Sequence, residues 1–152
     1  MNVRTAPGQG TTAVSVLLVE DDPGDVLMTR EAFDDCTVDN TLHVVGDGVD
    51  AMAFLRREGV YADAPTPDLV LLDLNLPRMG GREVLAAIKN DPVLQQIPVV
   101  VLTTSEAEED VLSSYQLHAN AYVTKPVDFQ EFVDVVRAID DFFGIVVRRP
   151  RG

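Results

Sequence analysis

One stretch constrains this chain more than any other: Pro67-Asp68-Leu69-Val70-Leu71-Leu72-Asp73-Leu74-Asn75-Leu76-Pro77. Leu69 to Leu72 form an unbroken apolar run, the pattern of a strand buried on both faces of a parallel sheet. The run stops at the carboxylate of Asp73, and Pro77 prevents the strand from continuing far. A charge at the end of a buried strand is costly unless a cation, hydrogen bonds or a ligand compensates it. Asp73 is therefore the first candidate for a functional group.

The same grammar recurs along the chain. An apolar run at 14–19 ends in Glu20-Asp21-Asp22, and Asp22-Pro23 reads as an N-cap followed by proline at the first helical position. The helix it opens carries Val26, Leu27, Arg30, Glu31 and Phe33, and fades near Cys36. A second strand at 41–45 leads to Gly46-Asp47-Gly48 and a helix over 49–58, with Ala51, Phe54 and Leu55 at helical spacing. Asp47 and Asp50 serve the positive end of that helix. After the long connection 59–67 and the Asp73 strand come Arg78-Met79-Gly80-Gly81 and a helix over 82–89, with Val84, Leu85 and Ile88 inward. The apolar run 97–102 ends at Thr103, and Ser105 with Glu108 forms a capping box for the next helix. A short strand at 120–124 ends at Lys125-Pro126, and Asp128 with Glu131 caps a last helix running to Phe143.

Strand and helix thus alternate five times. That rhythm requires right-handed crossovers and a parallel sheet covered by helices on both faces. The expectation is one doubly wound α/β domain over 14–143, with a tail at 1–13 and an arm at 144–152. The length of 152 residues suits one domain. Cys36 is the only cysteine, so no internal disulfide forms, and no apolar segment is long enough to span a bilayer. A cytoplasmic protein is expected. The formal charge of −13 argues against binding nucleic-acid backbones.

In an open parallel sheet, ligands bind beyond the carboxyl ends of the strands. Those ends carry Glu20 and Asp21, then Asp73, Thr103 and Lys125. Three carboxylates in one pocket repel unless a cation sits among them. An oxygen-only site without His or Cys suits a hard ion such as Mg²⁺, to which the Asn75 carbonyl can add a ligand. Lys125 suits a phosphoryl oxygen and Thr103 can donate to another. A carboxylate nucleophile among a metal, a lysine and a hydroxyl is a site for forming an aspartyl phosphate.

Val19-Glu20-Asp21-Asp22, Leu72-Asp73-Leu74-Asn75-Leu76-Pro77-Arg78-Met79-Gly80-Gly81, Val101-Leu102-Thr103-Thr104 and Tyr122-Val123-Thr124-Lys125-Pro126 resemble, in order and spacing, the receiver domain of two-component response regulators. The resemblance implies a flavodoxin-like five-stranded sheet of order 2-1-3-4-5. It makes Asp73 the phosphoacceptor and assigns Mg²⁺ to Asp21, Asp73 and the Asn75 carbonyl, with Glu20 acting through water. Lys125 contacts the phosphate, Thr103 reorients toward it, and Tyr122 is the coupled rotamer switch. Glu20 stands where the family often has Asp, and Gly80 stands at another position often filled by Asp, which implies a more flexible loop.

The connection Gly59 to Pro67, Leu102-Thr103-Thr104-Ser105 and Ser114-Tyr115-Gln116-Leu117-His118 resemble, more narrowly, small stand-alone receivers paired with bacterial phytochrome kinases. A histidine kinase is then the phosphodonor and a phosphotransfer protein a possible recipient. Too few residues follow Pro126 for a DNA-binding or catalytic output domain. His43 and His118 are read as ordinary surface or loop residues, and Cys36 as a small apolar packer.

On the last helix, Phe129, Phe132, Val133, Val136, Ile139 and Phe143 form one apolar stripe, which suits the sheet. Val135, Ala138 and Phe142 form a second, and Ile145-Val146-Val147 follows. Val135, Ala138, Phe142, Ile145 and Val147 are accordingly candidates for a homodimer contact. Three rival readings remain open. A haloacid-dehalogenase-like phosphohydrolase would carry a second Asp where Asn75 stands. A flavodoxin would need a Ser/Thr/Gly phosphate loop after the first strand. A scaffold that is never phosphorylated would have no need of the acidic pocket.

Overall fold

The computed structural model describes residues 14–34, 40–76, 78–103, 121–124 and 134. Among them, five strands pair side by side: β1 (Val14–Val19), β2 (Asn40–Val45), β3 (Leu69–Asp73), β4 (Val99–Thr103) and β5 (Ala121–Thr124). Their order is β2-β1-β3-β4-β5 and every pairing is parallel. Among the described residues, helices occupy three of the connections: α1 (Pro23–Asp34), α2 (Gly48–Arg56) and α3 (Gly81–Lys89). This is the doubly wound architecture expected from the alternation, in the flavodoxin-like strand order that the resemblance implied. The chain runs outward from β1 to β2 and then returns to the other side of β1 through β3. The strand order therefore reverses beside β1 and β3, where such sheets bind ligands.

Burial explains the apolar runs. All five residues of β3 are buried. On one face, Leu17, Val19, Val70, Leu72, Val99 and Val101 pack with Ala51, Phe54 and Leu55 of α2 and with Val84, Leu85 and Ile88 of α3. Alternate residues Val16, Leu18, Leu71, Val100 and Leu102 point to the other face and are fully buried as well. Each such side chain contributes about 1.5–3 kcal/mol relative to exposure. A strand shielded on both sides has no need of polar alternation. On α1, Phe33 is buried while Leu27 is 58% exposed, so Leu27 is not a core residue despite its apolar character.

The caps are largely those legible in the sequence. Asp22 Oδ1 accepts from the Gly24 N–H at 3.0 Å, and the Val26 N–H closes the first turn onto the Asp22 carbonyl. Asp47 Oδ1 accepts from the Asp50 N–H at 2.8 Å. The far end of α2 differs from expectation. The helix stops at Arg56, not at Glu58, because Arg57 turns left-handed with φ 56°. Its N–H then bonds to the Phe54 carbonyl and the Glu58 N–H to the Ala53 carbonyl. That is a Schellman closure built on arginine, although Gly59 lies just beyond. The connection after it forms a short 3-10 turn, Gly59–Tyr61. Tyr61 packs against Phe54 with ring centroids 5.5 Å apart and planes tilted by 56°, and the Phe54 ring also lies 5.4 Å from His43. His43 is thus a half-buried residue of β2, within the strand expected at 41–45.

Among the described residues, no helix is long and apolar enough to cross a membrane. The helix expected from Ser105, Cys36, His118 and the arm from 144 lie outside the described residues, as does the tail at 1–13. So do the dimer candidates Val135, Ala138, Phe142, Ile145 and Val147. Of the last helix only Asp134 is described; it is helical and exposed.

Candidate functional site

Parallel strands in register deliver their last residues to one edge of the sheet. Val19 pairs with Leu72 and Asp73 with Leu102, so Glu20, Asp73 and Thr103 all fall at the carboxyl end. There Glu20, Asp21 and Asp73 each present a carboxylate oxygen, and these atoms lie within 4.8 Å of one another. Glu20 and Asp73 are each only 2% exposed, whereas Asp21 is open to solvent. Clustered acids are common on protein surfaces, but two of these three are removed from water. Like charges this close and this buried need a compensating cation. The donor set is oxygen only, which fits a hard divalent ion.

Local backbone geometry orients the two buried acids. The Asn75 N–H donates to Asp73 Oδ1 at 3.0 Å, and the Asp22 N–H donates to Glu20 Oε2 at 3.2 Å. Both are bonds from a residue two positions on; at Asp73 this is an Asx turn, and the longer Glu20 side chain folds back onto its own backbone in a similar way. Each bond holds the orientation of its carboxylate. Asp22 itself caps α1, as its place before Pro23 implied, and leaves the cluster to the three other acids.

The loop from Asp73 to α3 is shaped by close packing. A Cβ on Gly81 would lie 2.5 Å from Leu74 Cα and 3.1 Å from the Asp73 carbonyl carbon. Only glycine lets the start of α3 approach the end of β3 this closely, and the Gly81 N–H completes the turn onto the Leu74 carbonyl at 3.1 Å. Gly80 is the N-cap of α3 in extended conformation, its N–H donating to Glu83 Oε1 at 3.2 Å. That bond is the half of a capping box that needs no side chain at the cap position.

Three residues that the sequence did not single out as partners also meet here. Arg78 Nε donates to Asp47 Oδ2 at 2.8 Å and its Nη2 reaches Asp50 Oδ1 at 3.5 Å. Hydrogen bonding to Arg78, and then to the Asp50 N–H, holds the Asp47 carboxyl below its ordinary range, and the same pairing raises the Arg78 guanidinium. The signal was present as an Arg and two Asp on neighbouring loops of the same sheet edge. Their pairing spans some thirty positions of sequence, which no local pattern reveals.

Of the other expected site residues, the Thr103 backbone ends β4 and pairs with Thr124 of β5, and Tyr122 pairs with Val101. The backbone therefore brings Thr103 and the end of β5 to the same edge as the carboxylates. Lys125 lies outside the described residues. The response regulator receiver domain model matches residues 16–137.

The chain belongs to the response regulator receiver family.

Similarity extends to particular members. Response regulator Rcp1 of Synechocystis sp. is 47% identical over 135 residues, covering 89% of this receiver and 92% of that protein. The crystal structure of the phosphorylated cyanobacterial phytochrome response regulator RcpA matches with TM-score 0.74 at 49% identity, over 86% of this receiver and 94% of that chain. The bacteriophytochrome response regulator RtBRR matches with TM-score 0.77 at 42% identity, over 83% and 77% of the two chains. A solved form of Rcp1 binds Mn²⁺; it matches with TM-score 0.73 at 48% identity, over 86% and 94%.

Proposed function

We propose that this receiver accepts a phosphoryl group onto Asp73 from a phosphohistidine of a partner kinase in a Mg²⁺-dependent reaction. It then signals by phosphorylation-dependent partner binding or by passing the group to a phosphotransfer protein. The observation that carries the reading is the buried Asp73 carboxylate within 4.8 Å of the Glu20 and Asp21 oxygens, at the carboxyl edge of the sheet. In the step, an Asp73 oxygen attacks phosphorus, an O–P bond forms and the P–N bond breaks. The electron pair remains on the leaving imidazole, which takes up a proton. The Asn75 N–H on Oδ1 holds the carboxylate plane during the attack. Asp21, Asp73 and the Asn75 carbonyl would hold Mg²⁺, with Glu20 acting through water. When bound, the ion supplies the positive charge that offsets the crowded acids and the transferring phosphoryl.

Lys125 and Thr103 are proposed to receive the phosphoryl oxygens, and Tyr122 to follow Thr103 as the switch, which biases one of two pre-existing conformations. The names of RcpA and RtBRR support a phytochrome as the upstream kinase. Asn75, standing where a phosphohydrolase needs its second Asp, weighs against turnover of free phosphate esters. The protein is thus read as a cytoplasmic signalling receiver over 14–143, flanked by the tail and the arm. The second apolar stripe of the last helix supports a homodimer through Val135, Ala138, Phe142, Ile145 and Val147. Phe142→Glu is expected to lower the mass in solution; an unchanged dimer would remove the stripe from the contact.

The decisive experiment is incubation with Mg²⁺ and a small phosphodonor, followed by intact-mass measurement. The wild type is expected to gain one phosphate and Asp73→Asn none. An equal gain in both would overturn the assignment.

A further inference from the structure

The loop between Asp73 and α3 carries Asn75, whose N–H orients the Asp73 carboxylate. Two adjacent residues of that loop are fastened to the start of α2. Arg78 reaches Asp47 and Asp50 with its guanidinium fork. Met79 lies against Gly48 so closely that a Cβ there would sit 2.7 Å from Met79 Cβ and 2.8 Å from its carbonyl carbon. Arg78 has φ 63°, a left-handed conformation that non-glycine residues adopt only when their surroundings hold them. The anchor points are fixed in turn, because Asp47 caps α2 and Gly48 is its first residue.

We infer that Arg78 is a positioning residue: with Asp47, Asp50 and Gly48 it latches the loop onto α2 and thereby sets how well the acidic pocket holds a divalent cation. The inference rests on the phosphoacceptor reading, since it concerns the same pocket. Without the latch, the loop spends part of its time displaced, and apparent affinity falls by the fraction of competent molecules. Simple electrostatics predicts the opposite for Arg78→Ala, because removing a positive charge near an acidic pocket strengthens cation binding. The two explanations differ in sign.

The test is Mg²⁺ titration by calorimetry on the full chain, with amide exchange at Asn75 and thermal unfolding measured in parallel. Arg78→Ala is expected to weaken Mg²⁺ binding about threefold, the scale of a partly exposed ion pair, and to speed exchange at the Asn75 N–H. Arg78→Lys restores part of both effects. Gly48→Ala disturbs the Met79 contact without changing any charge and is expected to weaken binding in the same direction. If Arg78→Ala binds Mg²⁺ as tightly as wild type or more tightly, the latch is refuted. If both variants only lower the melting temperature while Mg²⁺ affinity holds, the contacts serve stability and the inference is equally overturned. A wild type that binds no Mg²⁺ and takes up no phosphate would instead refute the phosphoacceptor reading, and the latch with it.

Discussion

Adding a single methyl at Gly81 tests the packing that places Asp73. The new Cβ would meet the Asp73 carbonyl oxygen, Leu74 Cα at 2.5 Å and the Asp73 carbonyl carbon at 3.1 Å. All three are backbone atoms and cannot turn aside as a flexible side chain can. Either α3 moves away from β3, or the end of β3 moves with Asp73. Overpacking of this kind costs about 1–3 kcal/mol, and rigid neighbours place Gly81→Ala near the upper end. At about 2–4 °C per kcal/mol for a chain of this size, the melting temperature falls by about 6–12 °C. Gly80→Ala is the internal control, because a Cβ there meets only Glu83 Oε1 at an ordinary 3.5 Å. Its small loss at the helix start is offset by the reduced freedom of the unfolded chain, so about 0–1 kcal/mol is expected. The assay is thermal unfolding followed by circular dichroism, backed by denaturant titration. Equal melting temperatures for Gly81→Ala and Gly80→Ala would refute the claim that the approach of α3 to β3 requires glycine.

Two substitutions at Asp47 separate its cap from its charge. Asp47→Ala removes the acceptor for the Asp50 N–H and is expected to cost about 1 kcal/mol, read as a drop in the denaturation midpoint. Asp47→Asn keeps an acceptor but loses the ion pair with Arg78, so its deficit should depend on pH. The Asp47 carboxyl is held below its ordinary value of 3.8, first by the Arg78 hydrogen bond. The unfolded chain therefore binds that proton more tightly than the folded one, and the stabilisation is complete above about pH 5. It declines as pH falls through the depressed value. The stability gap between wild type and Asp47→Asn should close below pH 4 in denaturant titrations; a gap independent of pH would contradict the ion pair.

Much of the fold and the acidic pocket was legible from the sequence by itself. Leu69 to Leu72 and their counterparts announced strands buried on both faces, and the alternation with helices forced parallel crossovers. Glu20, Asp21 and Asp73 could be placed together because each ends an apolar run, and in a parallel sheet every run ends at the same edge. Those are local signals, a period and a terminus, summed by one topological rule. The roles of Arg78 and Gly81, and the end of α2, were decided only in three dimensions. Arg57 closes α2 two residues early by a backbone turn that apolar spacing does not encode. Arg78 finds Asp47 and Asp50 across two loops, and Gly81 is required by a backbone that its own neighbours in sequence fold back against it. Contacts between loops depend on the distances the sheet imposes on them, and those distances exist only once the sheet has formed.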